Sequence, residues 1–123
     1  MRVLIIDDET SLSDLAVEYF KLAGHAAVSC PDGESALALL GRDPAFDVIV
    51  LDKRLPGLSG IDTLKAIKTD PRLRDIPVIV LSASVSPGTI AAGLDAADLH
   101  LAKPFHPKEL AAAAARLAAH HKA

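Results

Sequence analysis

Four short apolar runs in this chain each stop on a residue with chemistry of its own. Val3-Leu4-Ile5-Ile6 runs into Asp7-Asp8, Val48-Ile49-Val50-Leu51 into Asp52, Val78-Ile79-Val80-Leu81 into Ser82, and Leu99-His100-Leu101-Ala102 into Lys103-Pro104. Most of these runs are apolar throughout, without alternation, as strands covered on both faces must be. In an open parallel sheet the carboxyl ends of the strands share one edge, and ligands bind in the crevice there. The pattern therefore predicts one acidic pocket with a hydroxyl and an ammonium on its rim.

Segments of helical period separate the runs, so the chain reads as repeated strand–helix units: an α/β, doubly wound, five-stranded parallel sheet with helices on both faces. The first strand is predicted over Arg2 to Ile6. The first helix starts near Thr10 or Ser11, either of which can cap it, and runs through Leu15, Ala16, Tyr19, Phe20 and Ala23 to a stop at Gly24. A short second strand covers Ala26 to Ser29. The second helix follows Pro31-Asp32-Gly33, turns Ala36, Leu37, Leu39 and Leu40 inward and stops at Gly41. The third strand is Val48 to Leu51. The third helix runs from about Ser59 to Lys68, where Asp70-Pro71 breaks it, and Pro77 leads into a fourth strand, Val78 to Leu81. A weak helix is expected after Ser86-Pro87-Gly88, with Gly93 inside it. A fifth strand, about Asp98 to Leu101, and a last helix, Pro107 to about His120, complete the set.

With 123 residues, half of them hydrophobic, the chain is expected to be one domain, 1–123, with no output domain. The net charge of −3 gives no electrostatic footprint for nucleic acid. Cys30 is the single cysteine, so no internal disulfide forms; it reads as a small half-buried residue in a reducing compartment. No apolar run approaches the roughly 18 residues that span a membrane, and the expected location is cytoplasmic.

Asp7, Asp8 and Asp52 would form a carboxylate cluster that cannot fully ionise without a cation, and hard oxygens of this kind suit Mg2+. Taken singly, Asp8 can be a helix cap and Asp52 a solvated strand end; their joint placement is what argues for a site. Lys103 supplies a point charge for a phosphoryl oxygen, aimed inward if the bond to Pro104 is cis. Ser82 can donate to the same group.

The chain resembles a response-regulator receiver domain from Val3 to Leu117. The resemblance is carried by Ile6-Asp7-Asp8-Glu9, Leu51-Asp52, Leu55-Pro56-Gly57-Leu58-Ser59-Gly60, Val80-Leu81-Ser82-Ala83 and Lys103-Pro104-Phe105 in that order. It implies the flavodoxin-like strand order 2-1-3-4-5 and a two-component signalling role. It implies that Asp52 is the phospho-acceptor, attacking a phosphohistidine on a histidine kinase or phosphotransfer protein. Asp8, Asp52 and the backbone carbonyl of Arg54 would hold Mg2+ directly, and Asp7 through water. Lys103 would neutralise charge, and Ser82 would swing toward the phosphoryl group and move the loop behind it. Arg54 and Ser84 would flank the path of an attacking water.

Three departures stand out. The aromatic residue usual three positions before the lysine is His100, which either follows the switch as a partly exposed side chain or makes it pH-sensitive. Ala96-Ala97-Asp98 replaces the usual Gly-Ala-Asp, and the segment from Ser82 to Lys103 is about one residue short. The run Ala111–Ala115 occupies positions where transcription-factor receivers carry interfacial arginines.

The expected function is a stand-alone receiver that switches partner binding on phosphorylation and is not an enzyme on external substrates. A phosphorelay intermediate, or a receiver excised from a hybrid kinase, is the alternative within the class; Val17 and Leu22, off the core-facing stripe, would then help to receive a partner helix. A phosphorylation-independent scaffold is the reading from another class, opposed by the intact set Asp7, Asp8, Asp52, Ser82 and Lys103. A magnesium-dependent phosphatase lacks a further acid or base, and a flavin site is excluded by the acidic turn after the first strand.

Overall fold

The strands β1 (Arg2–Ile6), β2 (Ala26–Cys30), β3 (Val48–Asp52), β4 (Val78–Ser82) and β5 (Leu99–Ala102) form one parallel sheet in the order β2-β1-β3-β4-β5. The computed structural model describes the chain apart from Arg54, Pro56, residues 83–96, Lys103, Pro104 and Ala123, and describes no side chains for residues 10–12 and 120–122. The helices are α1 (Thr10–Leu22), α2 (Gly33–Arg42), α3 (Gly60–Thr69) and α4 (Pro107–Lys122). The weak helix expected after Ser86 falls on residues that are not described.

Every residue of β3 and β4 is buried, as their unbroken apolar runs require. Alternate residues feed two cores. Leu4, Ile6, Ile49, Leu51, Val78 and Val80 pack with Ala36 and Leu40 of α2 and Leu64 and Ile67 of α3. Val3, Ile5, Val48, Val50, Ile79 and Leu81 pack with Ala16 and Phe20 of α1 and Leu110, Ala113 and Ala114 of α4. The small side chains of Ala113 and Ala114 thus let α4 lie close on the sheet.

Several ends differ from expectation. The strands β2, β3, β4 and β5 reach Cys30, Asp52, Ser82 and Ala102, each one residue further than the apolar runs alone imply. The cap position of α1 is Glu9, whose side chain makes no capping bond, and not Thr10 or Ser11. Helix α2 runs through Gly41 to Arg42, where Asp43 N–H still reaches Leu39 O at 2.8 Å. Gly24 closes α1 as expected, with φ of +91°. Leu15 is 58% exposed, because Ala16 and Phe20, one turn apart, already fill the sheet-facing stripe. Val17, read as off the core, is half-buried against it, whereas Leu22 is exposed at 82%.

Two side chains tie neighbouring segments together at the amino-terminal edge of the sheet. The Arg2 guanidinium meets the Asp43 carboxylate at 2.8 and 3.2 Å, donates to Ala45 O and lies over the Phe46 ring. That hydrogen bond holds the Asp43 carboxyl below its usual range, so the stability it adds is present above the ordinary carboxylate pKa and fades as pH falls through the lowered one. Along the same edge Lys68 Nζ donates to Arg74 O (3.3 Å), Ile76 O (3.2 Å) and Asp98 (3.0 Å), and the same Asp98 oxygen accepts Val78 N–H at 2.8 Å. Lys68→Met leaves three acceptors short of a donor and is expected to cost about 1–2 kcal/mol. In a thermal melt that is a fall of roughly 4–8 °C for a domain of this size; an unchanged melt would show the cluster to be ornamental.

Candidate functional site

Each acidic residue is placed by the strand that precedes it. Asp7 follows β1, its N–H extending the ladder to Cys30 O at 3.0 Å, and its Oδ1 accepts Glu9 N–H at 2.9 Å. That turn fixes the Asp7 carboxylate, which is 3% exposed. Asp8, next in the chain, is exposed. Because Glu9 holds the cap position of α1, Asp8 is not that helix's cap. Asp52 ends β3 opposite Leu81 and is 4% exposed. One carboxylate oxygen from each of Asp7, Asp8 and Asp52 lies within 4.8 Å of the others.

Three carboxylates gathered this tightly repel one another unless a cation lies among them. The donor set is all hard oxygen, half-enclosed and open on the Asp8 side, which fits a small divalent ion that keeps part of its water. Ser82 ends β4, one strand over from Asp52, and is equally buried. The structure thus brings together four predicted site residues, Asp7, Asp8, Asp52 and Ser82, at one edge. Lys103, its bond to Pro104, Arg54 and Ser84 lie outside the described residues.

His100 pairs with Val80 and so shares its face of the sheet with Ser82, two residues further along β4. Its Nδ1 is buried and has no hydrogen-bond partner among the described residues. Such an orphan costs free energy that an apolar ring would not. His100→Phe is expected to stabilise the fold by about 1 kcal/mol, read as a higher denaturation midpoint; a lower midpoint would mean that the nitrogen has a partner. Cys30 is more enclosed than expected, and burial, helped by the Asp32 charge, pushes its thiol up, which suits an inert packing residue.

The loop from Asp52 to α3 carries contacts that sequence reasoning did not single out. Ser59 caps α3 by accepting Asp62 N–H at 3.1 Å. Gly60 lies against the backbone of Asp52 and Lys53, and Glu34 of α2 accepts Leu58 N–H at 3.1 Å. An acidic residue in a first helical turn reads as a dipole partner, so nothing local marked Glu34 for this contact.

Residues 3–115 match the response regulator receiver domain family. The chain belongs to that family. It is 38% identical over 112 residues to the phosphate regulon transcriptional regulatory protein PhoB of Escherichia coli, covering 90% of this chain and 48% of PhoB. The chain thus spans about half the length of the curated relatives it matches. Among solved structures it is similar to the Vibrio cholerae chemotaxis protein CheY4, with a TM-score of 0.87, 29% identity and coverage of 94% of this chain and 97% of that one. It is also similar to the receiver domain of a Pseudomonas aeruginosa sensor histidine kinase with a magnesium ion in its active-site cleft, with a TM-score of 0.86, 27% identity and coverage of 96% and 97%. The receiver fold, its strand order and the phospho-accepting role of the family agree with the expectations from sequence. None of the described helices is long and apolar enough to cross a membrane.

Proposed function

We propose that Asp52 is the phospho-acceptor of this receiver and that Asp8, Asp52 and the backbone carbonyl of Arg54 hold Mg2+, with Asp7 acting through water. The observation that carries the reading is the meeting of three carboxylates within 4.8 Å at the strand ends, two of them buried.

A carboxylate oxygen of Asp52 attacks the phosphorus of a phosphohistidine on a sensor histidine kinase or a phosphotransfer protein. An O–P bond forms as the N–P bond breaks, and the imidazole leaves with the electron pair and takes up a proton. Bound Mg2+ supplies positive charge against the transferring phosphoryl oxygens. Asp8, exposed, faces the side from which the donor arrives, while the burial of Asp52 keeps bulk water from competing. Lys103 would supply a further point charge to the phosphoryl oxygens. The Ser82 hydroxyl donates to a phosphoryl oxygen, and that new contact is the differential interaction that shifts the segment behind it. His100, on the same face, is the side chain that follows the shift.

The partner surface fits α1. A shallow groove of about 300 Å3 is lined by Leu15, Tyr19 and Leu22 beside His106 and Pro107. An apolar helix face of a kinase or phosphotransfer protein would seat there. The domain acts in the cytoplasm, on its own carboxylate, and engages protein and not nucleic acid through this site.

Incubation with acetyl phosphate and Mg2+, followed by intact mass, tests the reaction. One phosphoryl adduct, absent when EDTA replaces Mg2+, is expected. An adduct that forms equally well without metal would contradict the role given to the carboxylate cluster.

A further inference from the structure

Between the acceptor and α3, the described residues Lys53, Gly57 and Leu58 are held from two sides. On one side Gly60 opens α3 so close to the acceptor backbone that a Cβ there would lie 2.7 Å from Asp52 O and 2.6 Å from Lys53 O. On the other side stands the first turn of α2. Gly33 is buried against Thr63 and Leu58, and a Cβ at Gly33 would overlap the Thr63 hydroxyl. The next residue, Glu34, turns its carboxylate onto the loop. Its Oε1 accepts the Leu58 N–H at 3.1 Å, and its Oε2 occupies the space beside Gly57, where a Cβ would come within 2.6 Å. Gly57 has φ of +68°, so its backbone is turned in the way that lets the following N–H point at Glu34.

A carboxylate fitted this closely does more than favour the N-terminus of its own helix. The loop it grips leaves directly from Asp52 and contains Arg54. We infer that Glu34 is a positioning residue for the metal-dependent reaction, holding the loop after Asp52 so that its backbone keeps the geometry the metal requires. This rests on the assignment of Asp52 and the Arg54 carbonyl made above. Glu34 touches neither phosphoryl group nor metal; it acts through the main chain of Gly57 and Leu58. Outer hydrogen bonds that orient metal-binding groups are a recognised determinant of metal affinity.

The test is a calorimetric Mg2+ titration of the wild type, Glu34→Ala and Glu34→Gln. It is paired with the rate of acetyl phosphate labelling as Mg2+ is varied. Glutamine keeps the acceptor oxygen and removes the charge, so it separates the grip on the loop from simple attraction for a cation. Glu34→Ala is expected to raise the half-saturating Mg2+ concentration by about 2- to 10-fold, the loss of one hydrogen bond. The labelling rate at saturating Mg2+ should stay near wild type, and Glu34→Gln should restore the affinity. The inference is overturned by Glu34→Ala binding Mg2+ as the wild type does, or by Glu34→Gln binding as weakly as Glu34→Ala, which would reduce Glu34 to a surface charge. A thermal melt of each variant shows whether a general loss of structure accompanies the change; weaker binding that only tracks a lower melting temperature also overturns it. Asp52→Asn run alongside keeps the two claims apart. Labelling that survives Asp52→Asn defeats the underlying assignment, whereas indifference to Glu34 with labelling still dependent on Asp52 defeats only this one.

Discussion

Asp52→Asn is expected to abolish labelling by acetyl phosphate while leaving the fold intact. Asparagine has nearly the shape of aspartate, so the end of β3 and its pairing with Leu81 on β4 are undisturbed. The amide lacks the anionic oxygen that attacks phosphorus, and that loss cannot be compensated by Asp7 or Asp8, which belong to the loop after β1. Removing one charge from a cluster spanning 4.8 Å also relieves repulsion, so in metal-free buffer the variant should melt at or above the wild-type temperature. Intact mass and a thermal melt read both effects. A wild-type adduct on the variant would mean that another residue is the acceptor.

Gly60→Ala should be among the most damaging single-methyl changes in the chain. The added Cβ would lie 2.6 Å from Lys53 O, 2.7 Å from Asp52 O and 2.9 Å from Lys53 C. All three are backbone atoms, so no side chain can rotate away, and either α3 or the end of β3 must move. Overpacking of this kind costs about 2–3 kcal/mol, or roughly 8–12 °C in a melt. Because one of these atoms is the acceptor's own carbonyl oxygen and the other two belong to the next residue, phosphorylation should suffer beyond the loss of stability, and the residual rate measured well below the melting point separates the two. Gly41→Ala is the matching control: nothing lies within 4 Å of its Cβ position, it sits in the last turn of α2, and the change should stabilise by about 0.5–1 kcal/mol. Equal melting temperatures for the two variants would refute the close approach at Gly60.

Much of this was legible in the chain because burial on two faces leaves an unmistakable trace. Val48 to Leu51 and Val78 to Leu81 must be apolar at every position to lie between two helical layers, so both the strands and the parallel topology follow from the run. The polar residue that ends each run then marks the functional edge. Less legible was anything decided by a contact distant in sequence. Glu9 replaced Thr10 and Ser11 at the cap position of α1, where Asp7 already organises the turn through Glu9 N–H. Leu15 belongs to the apolar pattern of α1 yet is exposed, because Ala16 and Phe20 already fill the stripe. The Lys68 cluster joins residues 30 apart in the chain, and the Glu34 contact with Leu58 joins residues 24 apart. Neither pair has a local signature. His100 was visible as a departure, but the lone buried nitrogen that makes it costly belongs to the folded state.

The destination of the phosphoryl group decides whether Asp52 is the acceptor. Borohydride reduction of the labelled protein converts an aspartyl phosphate into homoserine, and peptide mapping then reads its position directly. Homoserine at position 52, formed only when Mg2+ was present during labelling, is the result predicted. Homoserine at Asp7 or Asp8, or a phosphoryl group on a residue that borohydride does not convert, would contradict it.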